Sequence, residues 1–172
     1  LVLVASLHSS DADRGYNALQ FGTSSSDYVK FNFDMSPFRY SFSLCTWIKH
    51  IYTSSSYPTV FNYWTSSAGW EIIVTANGRY IYVLNDSGLD SKFTASTGQW
   101  YSLCLTWSTS TYTSKLYIDG ELVGTDTTSS RSLYMGGTLA LGNYGGSPSS
   151  SSIFGGSVYQ FNMFSEVLSA AD

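Results

Sequence analysis

Two cysteines are the first residues to consider as chemical groups, because they lie in segments of similar sequence. Cys45 belongs to SFSLCTWIKH at 41–50, and Cys104 belongs to WYSLCLTW at 100–107. A cysteine pair can form a redox site, half of a metal site, a nucleophile with a bystander, or one structural disulfide bond. The choice among these four depends on the residues around the cysteines and on the elements that carry them.

The chain also has two histidines, His8 near the N-terminus and His50 at the end of a predicted strand. Nucleophilic catalysis needs a base within reach of a serine or cysteine nucleophile. Neither histidine has a nucleophile motif beside it. We therefore expect both to be surface residues.

Paired carboxylates are the other group that could support catalysis. Glycoside hydrolysis needs two of them about 5 to 9.5 Å apart, usually projecting side by side from one strand. The nearest candidate is Asp119-Gly120-Glu121, but Asp-Gly favours a hairpin turn that separates the two acids. Glu71 lies between Trp70 and Ile72 in an apolar run, and we expect it to face solvent from a sheet. The sequence therefore predicts a protein that is not an enzyme.

Composition limits the function further. The 172 residues fit one domain spanning 1–172. Only 12% of residues are charged and 17% are aromatic, whereas roughly a quarter of an ordinary soluble chain is charged. This composition is typical of extracellular β-rich proteins. The net charge of -4 provides no basic surface for nucleic acid or an anionic membrane, and we exclude nucleic-acid binding.

The first ten residues, LVLVASLHSS, have two explanations. They resemble the end of a secretory signal, but the apolar run is short and has no basic region before it. We therefore predict a first strand. The missing initiator methionine is expected of a processed chain or of a module of a larger protein. No stretch approaches the roughly 20 apolar residues of a membrane span, so we expect no direct membrane insertion.

The rest of the chain predicts strands almost throughout. Short runs rich in β-branched and aromatic residues alternate with turn formers, which favours an antiparallel sandwich or barrel. Asn77-Gly78 and Asp119-Gly120 predict tight hairpins, and EVLSAAD at 166–172 predicts a helical turn with Ser165 as its cap. The predicted strands are 17–21, 27–33, 41–50, 59–64, 70–75, 79–85, 91–96, 100–108, 114–120, 121–127, 137–143 and 155–164.

The order of these segments resembles the laminin-G-like and pentraxin branch of the concanavalin A-like jelly rolls. The resemblance runs from about residue 15 to the end, and Phe164 stands where pentraxins usually have tryptophan. It implies an all-β, two-sheet antiparallel sandwich that is extracellular and recognises glycans, phosphorylated head groups or proteins, commonly with calcium. Pentraxins carry a further C-terminal strand, so Leu1 to Leu7 are expected to fill an open edge. The segments that carry the resemblance are YNALQF, DYVKF, SFSLCTWIK, WYSLCLTW, KLYIDGELVG, GTLALGN and FGGSVYQFNMFSEVLSAAD.

We expect Cys45 and Cys104 to form a structural disulfide bond. Zinc needs about four ligands and a redox pair needs close spacing, whereas these cysteines lie in separate strands of a chain with two histidines. Pentraxins carry a bridge between the corresponding strands. A disulfide requires an oxidising compartment, and the Asn85-Asp86-Ser87 sequon is a second indication of a secreted glycoprotein.

The pattern that implies calcium is altered in this chain. In pentraxins an acidic loop after the strand ending L-G-Q helps to hold two calcium ions, because this cation prefers six to eight oxygens, several of them anionic. Here the segment 141–156 contains no charged residue, and Asn143 keeps only an amide oxygen. Gly69 and Trp70 align with the Asp-Asn pair of the pentraxin site. We expect no cofactor and no double calcium site, although carbonyl and hydroxyl oxygens would suit a weak single ion.

Aromatic side chains beside this loop are the remaining candidates for ligand binding. Flat rings can stack on sugars or on a partner protein while neighbouring amides and hydroxyls form hydrogen bonds. Three other tryptophans, Trp47, Trp100 and Trp107, are expected in the core. The candidate ligand-binding residues are Tyr63, Trp64, Trp70, Asn143 and Tyr144.

Two functions agree with these observations. The first is an extracellular, lectin-like or cell-adhesion module that binds a glycan or an extracellular protein. The second is a structural subunit of a matrix, coat or filament that oligomerises through sandwich surfaces and edge strands. We favour the first.

Overall fold

The protein is described from a computed structural model that covers residues 2–5, 10–11, 16–52, 56–65, 69–74, 79–84, 87–127, 135–144 and 146–169. Its fifteen strands are β1 Val2–Ala5, β2 Ser10–Asp11, β3 Tyr16–Asn17, β4 Leu19–Phe21, β5 Val29–Phe33, β6 Ser41–Tyr52, β7 Thr59–Trp64, β8 Gly69–Val74, β9 Arg79–Leu84, β10 Ser87–Thr94, β11 Trp100–Ser108, β12 Thr113–Ile118, β13 Glu121–Thr127, β14 Gly137–Leu141 and β15 Gly155–Phe164. One 3₁₀ turn covers Ser36–Phe38.

These strands form two main antiparallel sheets. The larger sheet has the order β1-β15-β6-β11-β12-β13, with β4 also paired to β15, and the smaller sheet has the order β10-β9-β8-β7-β14-β5. A separate two-stranded ribbon joins β2 and β3. The predicted all-β sandwich is confirmed.

Alternation along each strand builds the core between the sheets. On β6 the side chains of Phe42, Leu44 and Ile48 are fully buried, because every second residue of a strand points to the same face. Phe61 of the smaller sheet and Phe161 of the larger sheet meet edge to face, with ring centroids 5.6 Å apart. This contact packs the inner faces of the two sheets against each other.

The N-terminal strand occupies the edge predicted for it. β4 covers the first part of β15, where Val158 pairs with Leu19. β1 covers the last part, where Ala5 pairs with Phe161 and Val2 with Phe164. Two short strands therefore cover one long edge, which would otherwise expose backbone groups.

The Asp119-Gly120 hairpin is confirmed. Both residues have positive φ, 50° and 82°, as a type I′ turn requires, and Ile118 pairs with Glu121 across it. The other predicted hairpin, Asn77-Gly78, and the sequon residue Asn85 lie outside the described residues, as does His8.

The disulfide bond between Cys45 and Cys104 is confirmed. The two residues are directly opposite each other in β6 and β11, with Cα atoms 4.1 Å apart. Their neighbours Leu44 and Leu103 face the core, so the bridge lies on the outer face of the larger sheet. It joins two adjacent strands of one sheet and does not connect the two sheets.

Two tryptophans expected in the core lie on the same outer face. Trp47 is 36% exposed, because it has the same strand parity as Cys45. Trp100 is partly exposed, and the Lys49 Nζ lies 5.0 Å from its ring centroid. For these two the expectation is wrong, whereas Trp107 is buried as expected.

The predicted C-terminal helical turn is also absent from the described residues 165–169. The reason is that the Ser43 hydroxyl forms two hydrogen bonds to the backbone of this segment. This hydroxyl donates to the carbonyl of Glu166 at 2.8 Å and accepts the N–H of Leu168 at 2.8 Å. These bonds satisfy the backbone without a helix and hold the segment across the larger sheet.

His50 is buried, with 1% of its surface exposed, and the expectation of a surface position is wrong. Its ring meets Tyr80 edge to face at 6.3 Å. Both ring nitrogens of His50 and the hydroxyl of Tyr80 have no hydrogen-bond partner in the described part of the chain. Burial lowers the pKa of His50 and raises that of Tyr80, because an apolar environment disfavours the charged form of each.

Removing the disulfide should lower stability. A Cys45→Ala/Cys104→Ala variant is expected to lose about 2 to 4 kcal/mol of unfolding free energy, because the unfolded chain regains the entropy of a long loop. Urea denaturation with and without dithiothreitol measures the loss. The reductant should weaken the wild type and leave the variant unchanged. Equal stability of variant and oxidised wild type would contradict this role.

Acid should destabilise the fold through His50. The folded pKa lies below the unfolded value of 6.5, so the unfolded chain binds the proton more readily, and the unfolding free energy falls as pH drops through this range. His50→Phe keeps a ring against Tyr80 but cannot titrate. Thermal denaturation between pH 8 and pH 5 should show a smaller loss in this variant than in the wild type. Equal losses would contradict the prediction.

Candidate ligand-binding surface

The loop from Gly142 to Phe154 connects β14 to β15 and begins with a closely packed glycine. Gly142 has φ of 88°, and a side chain there would overlap the ring of Phe21. Its N–H donates to the carbonyl of Val60, and its own carbonyl accepts the N–H of Phe154, both at 3.0 Å. The first and last residues of the loop, Gly142 and Phe154, are therefore hydrogen-bonded to each other.

Asn143 holds the inside of this loop. Its side chain is fully buried. Nδ2 donates to the carbonyls of Ser25 and Ser149 at 3.2 and 3.3 Å, while Oδ1 accepts the N–H groups of Tyr144 and Ser149 at 2.7 and 3.3 Å. Asn143 was predicted to bind a ligand, but this amide is buried and bonded on both sides. Its observed contacts are structural.

Serines connect the far side of the loop to the neighbouring chain. The N–H groups of Tyr57 and Thr59 donate to the carbonyls of Ser151 and Ser152 at 2.9 and 3.1 Å. The Ser149 and Ser151 hydroxyls lie 2.7 Å apart. Backbone and hydroxyl contacts thus order a loop whose sequence contains no charge.

Trp64 is the aromatic residue that this loop contacts. It ends β7 opposite Thr138, and 36% of its surface is exposed. A Cβ placed on Gly146 would lie 2.9 Å from Cε2 of the indole. The loop backbone therefore rests on the ring, and the partly exposed Tyr144 lies two residues earlier in the same loop. We call Trp64, Tyr144 and Gly146 the Trp64 surface.

Tyr63 does not belong to this surface. Only 1% of it is exposed, because consecutive strand residues point to opposite faces. Its hydroxyl accepts the N–H of Gly137 at 2.9 Å, and burial raises its pKa. The backbone of Trp70 is paired with Tyr63 in β8, but its side chain is outside the described residues.

The acidic candidates are also accounted for. Oδ1 of Asp119 accepts the N–H of Ser102 at 2.8 Å, which fixes the hairpin turn, and Glu121 is exposed beyond it. The backbone of Glu71 lies in β8. In the part of the chain that the structure describes, no three His, Cys, Asp or Glu side chains come together.

No helix among these residues is long and apolar enough to span a bilayer.

Sequence reasoning missed the outer face of the larger sheet. Trp47 pairs with Tyr159 there, and Lys49 lies between Ser157 and Trp100 in the register. The parity of Cys45 and Lys49 could have placed Trp47 on this face.

The fold is a two-sheet antiparallel sandwich, and comparison with known proteins identifies its family. A laminin G-like family model, described as the concanavalin A-like lectin/glucanases superfamily, matches residues 21–172. The chain belongs to this superfamily.

Curated relatives with similar sequences are pentraxins. Neuronal pentraxin-2 of Cavia porcellus is 30% identical over 143 residues, which cover 77% of this chain and 33% of the relative. Pentraxin-related protein PTX3 of Mus musculus is 33% identical over 141 residues, covering 75% and 36%. The chain spans about a third of the length of these relatives.

Solved structures show the same fold. A native heptameric SAP-like pentraxin from Limulus polyphemus has a TM-score of 0.67 at 17% identity, covering 98% of this chain and 78% of that one. The binding domain of botulinum neurotoxin DC in complex with SialylT has a TM-score of 0.72 at 18% identity, covering 100% and 44%. At these identities the similarity establishes the fold.

Replacing Asn143 should loosen the loop. Asn143→Ala removes four hydrogen bonds, some of them to partly buried backbone groups, and leaves a cavity where the amide was buried, so we expect about 2 to 4 kcal/mol lower unfolding free energy. Urea denaturation provides the measurement. Ser147→Ala, at an exposed position of the same loop, is the matched control and should change stability by less than about 0.5 kcal/mol. Similar values for both variants would contradict the structural role.

Proposed function

We propose that this chain is an extracellular recognition module that binds a glycan or a protein through the Trp64 surface, without catalysis. The observation that carries the proposal is a partly exposed indole supported by a loop that the protein orders with its own hydrogen bonds. Rigid aromatic side chains lose little entropy on binding and offer a flat apolar face. The pentraxin relatives and the toxin binding domain are consistent with such a role.

Binding without calcium is part of this proposal. The Asn143 oxygen that aligns with the pentraxin loop already accepts two N–H groups. The segment 141–156 has no carboxylate, although a high-affinity calcium site generally requires several anionic oxygens. Recognition would then depend on shape, stacking and neutral hydrogen bonds.

The extracellular location is supported by the disulfide bond, since such bonds persist in oxidising compartments. Glycosylation at Asn85 is a further expectation of that location. The absence of catalysis is supported by the Asp119-Gly120-Glu121 turn, where Asp119 is committed to the backbone of Ser102.

Self-assembly is the second candidate, and one feature favours it. β13 ends the larger sheet, and its Leu122 is 51% exposed. An apolar residue on an edge strand can promote pairing with another chain. Native mass spectrometry distinguishes the two functions, because a structural subunit would form oligomers that Leu122→Lys disrupts.

Trp64→Ala should weaken recognition while preserving the fold. Glycan arrays and an extracellular-protein array in chelating buffer would identify the ligand, and calorimetry would then compare variants. We expect roughly tenfold or greater weakening for Trp64→Ala, since an aromatic contact contributes about 1 kcal/mol beyond the area it buries. Tyr63→Phe, an adjacent buried aromatic change, should retain affinity. Equal affinity of Trp64→Ala and wild type would exclude this surface.

A further inference from the structure

The exposed indole of Trp64 lies at one end of a row of side chains that crosses the smaller sheet. Trp64 of β7 is directly opposite Thr138 of β14, and Thr138 is directly opposite Asn32 of β5. The sequence neighbours Tyr63 and Leu139 are core residues, so the three side chains of the row project from the outer face of the sheet. We call Trp64, Thr138 and Asn32 the Trp64 row.

The two polar members of this row have free hydrogen-bonding groups. Asn32 is exposed and Thr138 is partly exposed, and neither side chain has a hydrogen bond within the described part of the chain. An amide and a hydroxyl can each donate to a carbonyl oxygen. The row therefore presents one flat apolar ring and two donors along a single line.

The length of the row limits the conformation of a partner. Neighbouring strands lie about 4.8 Å apart, so two strand spacings separate Trp64 from Asn32 by about 9.5 Å. A polyproline II helix has three residues per turn and rises about 3.1 Å per residue, so residues i and i+3 face the same way about 9.3 Å apart. An extended strand repeats its face about every 6.7 Å and does not match the row.

The backbone of a polyproline II helix also suits the two donors. Its carbonyl groups have no internal hydrogen bonds and can accept from Thr138 and Asn32, whereas the carbonyl groups of an α-helix are bonded within the helix. Proline has a fixed backbone angle, so little entropy is lost when such a segment binds to an aromatic surface. A proline ring can therefore stack on Trp64 while neighbouring carbonyl groups bind the two polar side chains.

The charge around the row favours a neutral partner. None of its three side chains ionises, and the neighbouring segment 141–156 contains no charged residue. Lys30 is exposed on the same face of β5, two residues from Asn32, and its Nζ lies 5.9 Å from the ring centroid of Tyr28. An acidic partner would depend on Lys30, whereas a neutral partner would not.

We propose, on the basis of the proposed function, that the Trp64 row binds a proline-rich segment of a partner protein in the polyproline II conformation. The segment crosses the smaller sheet from β7 to β5. One proline stacks on the Trp64 indole, and the residue three positions away lies over Asn32. Thr138 and Asn32 donate hydrogen bonds to the carbonyl groups of the segment. The partner of the Trp64 surface is then a protein with a neutral, proline-rich sequence.

NMR titration of the isotopically labelled protein with a blocked peptide of ten prolines tests the proposal. We expect saturable shifts of the Trp64 indole N–H and of the Asn32 side-chain amide, with a Kd in the millimolar range or below. Trp64→Ala should weaken binding by about tenfold, and Asn32→Ala and Thr138→Val by about fivefold each, as expected for one lost hydrogen bond. Lys30→Ala is the matched control on the same strand and should bind as the wild type does.

A blocked glycine–serine peptide of the same length is the control ligand, because it is flexible and forms no polyproline II helix. It should cause no shifts. The melting temperature of each variant should stay close to that of the wild type, so that weaker binding cannot be attributed to unfolding. The proposal is overturned if the proline peptide does not bind the wild type, if Asn32→Ala and Thr138→Val bind it normally, if Lys30→Ala loses binding, or if the control peptide binds equally well.

The glycan and protein arrays separate failure of this proposal from failure of the proposed function. A ligand from the arrays that depends on Trp64, combined with no binding of the proline peptide, would overturn the proline-rich partner and leave the proposed function standing. Array ligands that bind Trp64→Ala and the wild type equally would contradict the proposed function itself.

Discussion

Burial of the two inner sheet faces against each other is the constraint on which the other features depend. Phe61 and Phe161 meet across the interface, and Phe42 packs on Trp107 within the same core, with ring centroids 5.9 Å apart. Because strand residues alternate, each side chain that enters this core sends its neighbours outward. The disulfide and Trp47 on one outer face, and Trp64 at the end of β7, follow from this alternation.

The same constraint explains how an uncharged loop can be ordered. Gly142 follows Leu141, the last core residue of β14, and turns the chain close to the Phe21 ring. Asn143 then bonds Tyr144 and Ser149 within the loop and the distant Ser25 carbonyl. The buried amide of Asn143 is thus paired within the protein. The ordered backbone then supports the indole of Trp64 through Gly146.

Local patterns predicted the strands and the Asp119-Gly120 turn, because these depend on nearby residues. The cysteine pairing could be predicted because the chain has two cysteines and therefore one possible pair. The face of each strand was harder to predict. Along β6 the outward set includes Trp47, an apolar residue, and the inward set includes His50, so hydrophobicity alone assigned both incorrectly. Ser43 and Lys49 have the parity of the outer face, and their polarity was the available indication.

Contacts between distant segments could not be predicted from the sequence. Asn143 bonds a carbonyl 118 residues away, and Ser43 bonds a segment 125 residues away. The Asn143 contact gives a candidate ligand residue a structural role. The Ser43 contact holds the segment 165–169, where a helical turn was predicted.

Amide hydrogen exchange of Thr59, Gly142, Tyr144 and Ser149, compared in chelator and in millimolar calcium, tests most directly whether the protein alone orders this loop. Their acceptors are all protein atoms, including Oδ1 of Asn143. Slow exchange at equal rates in both solutions is expected. Fast exchange in chelator that becomes slow only when calcium is added would show that a metal ion, and not the Asn143 clasp, holds the surface in place.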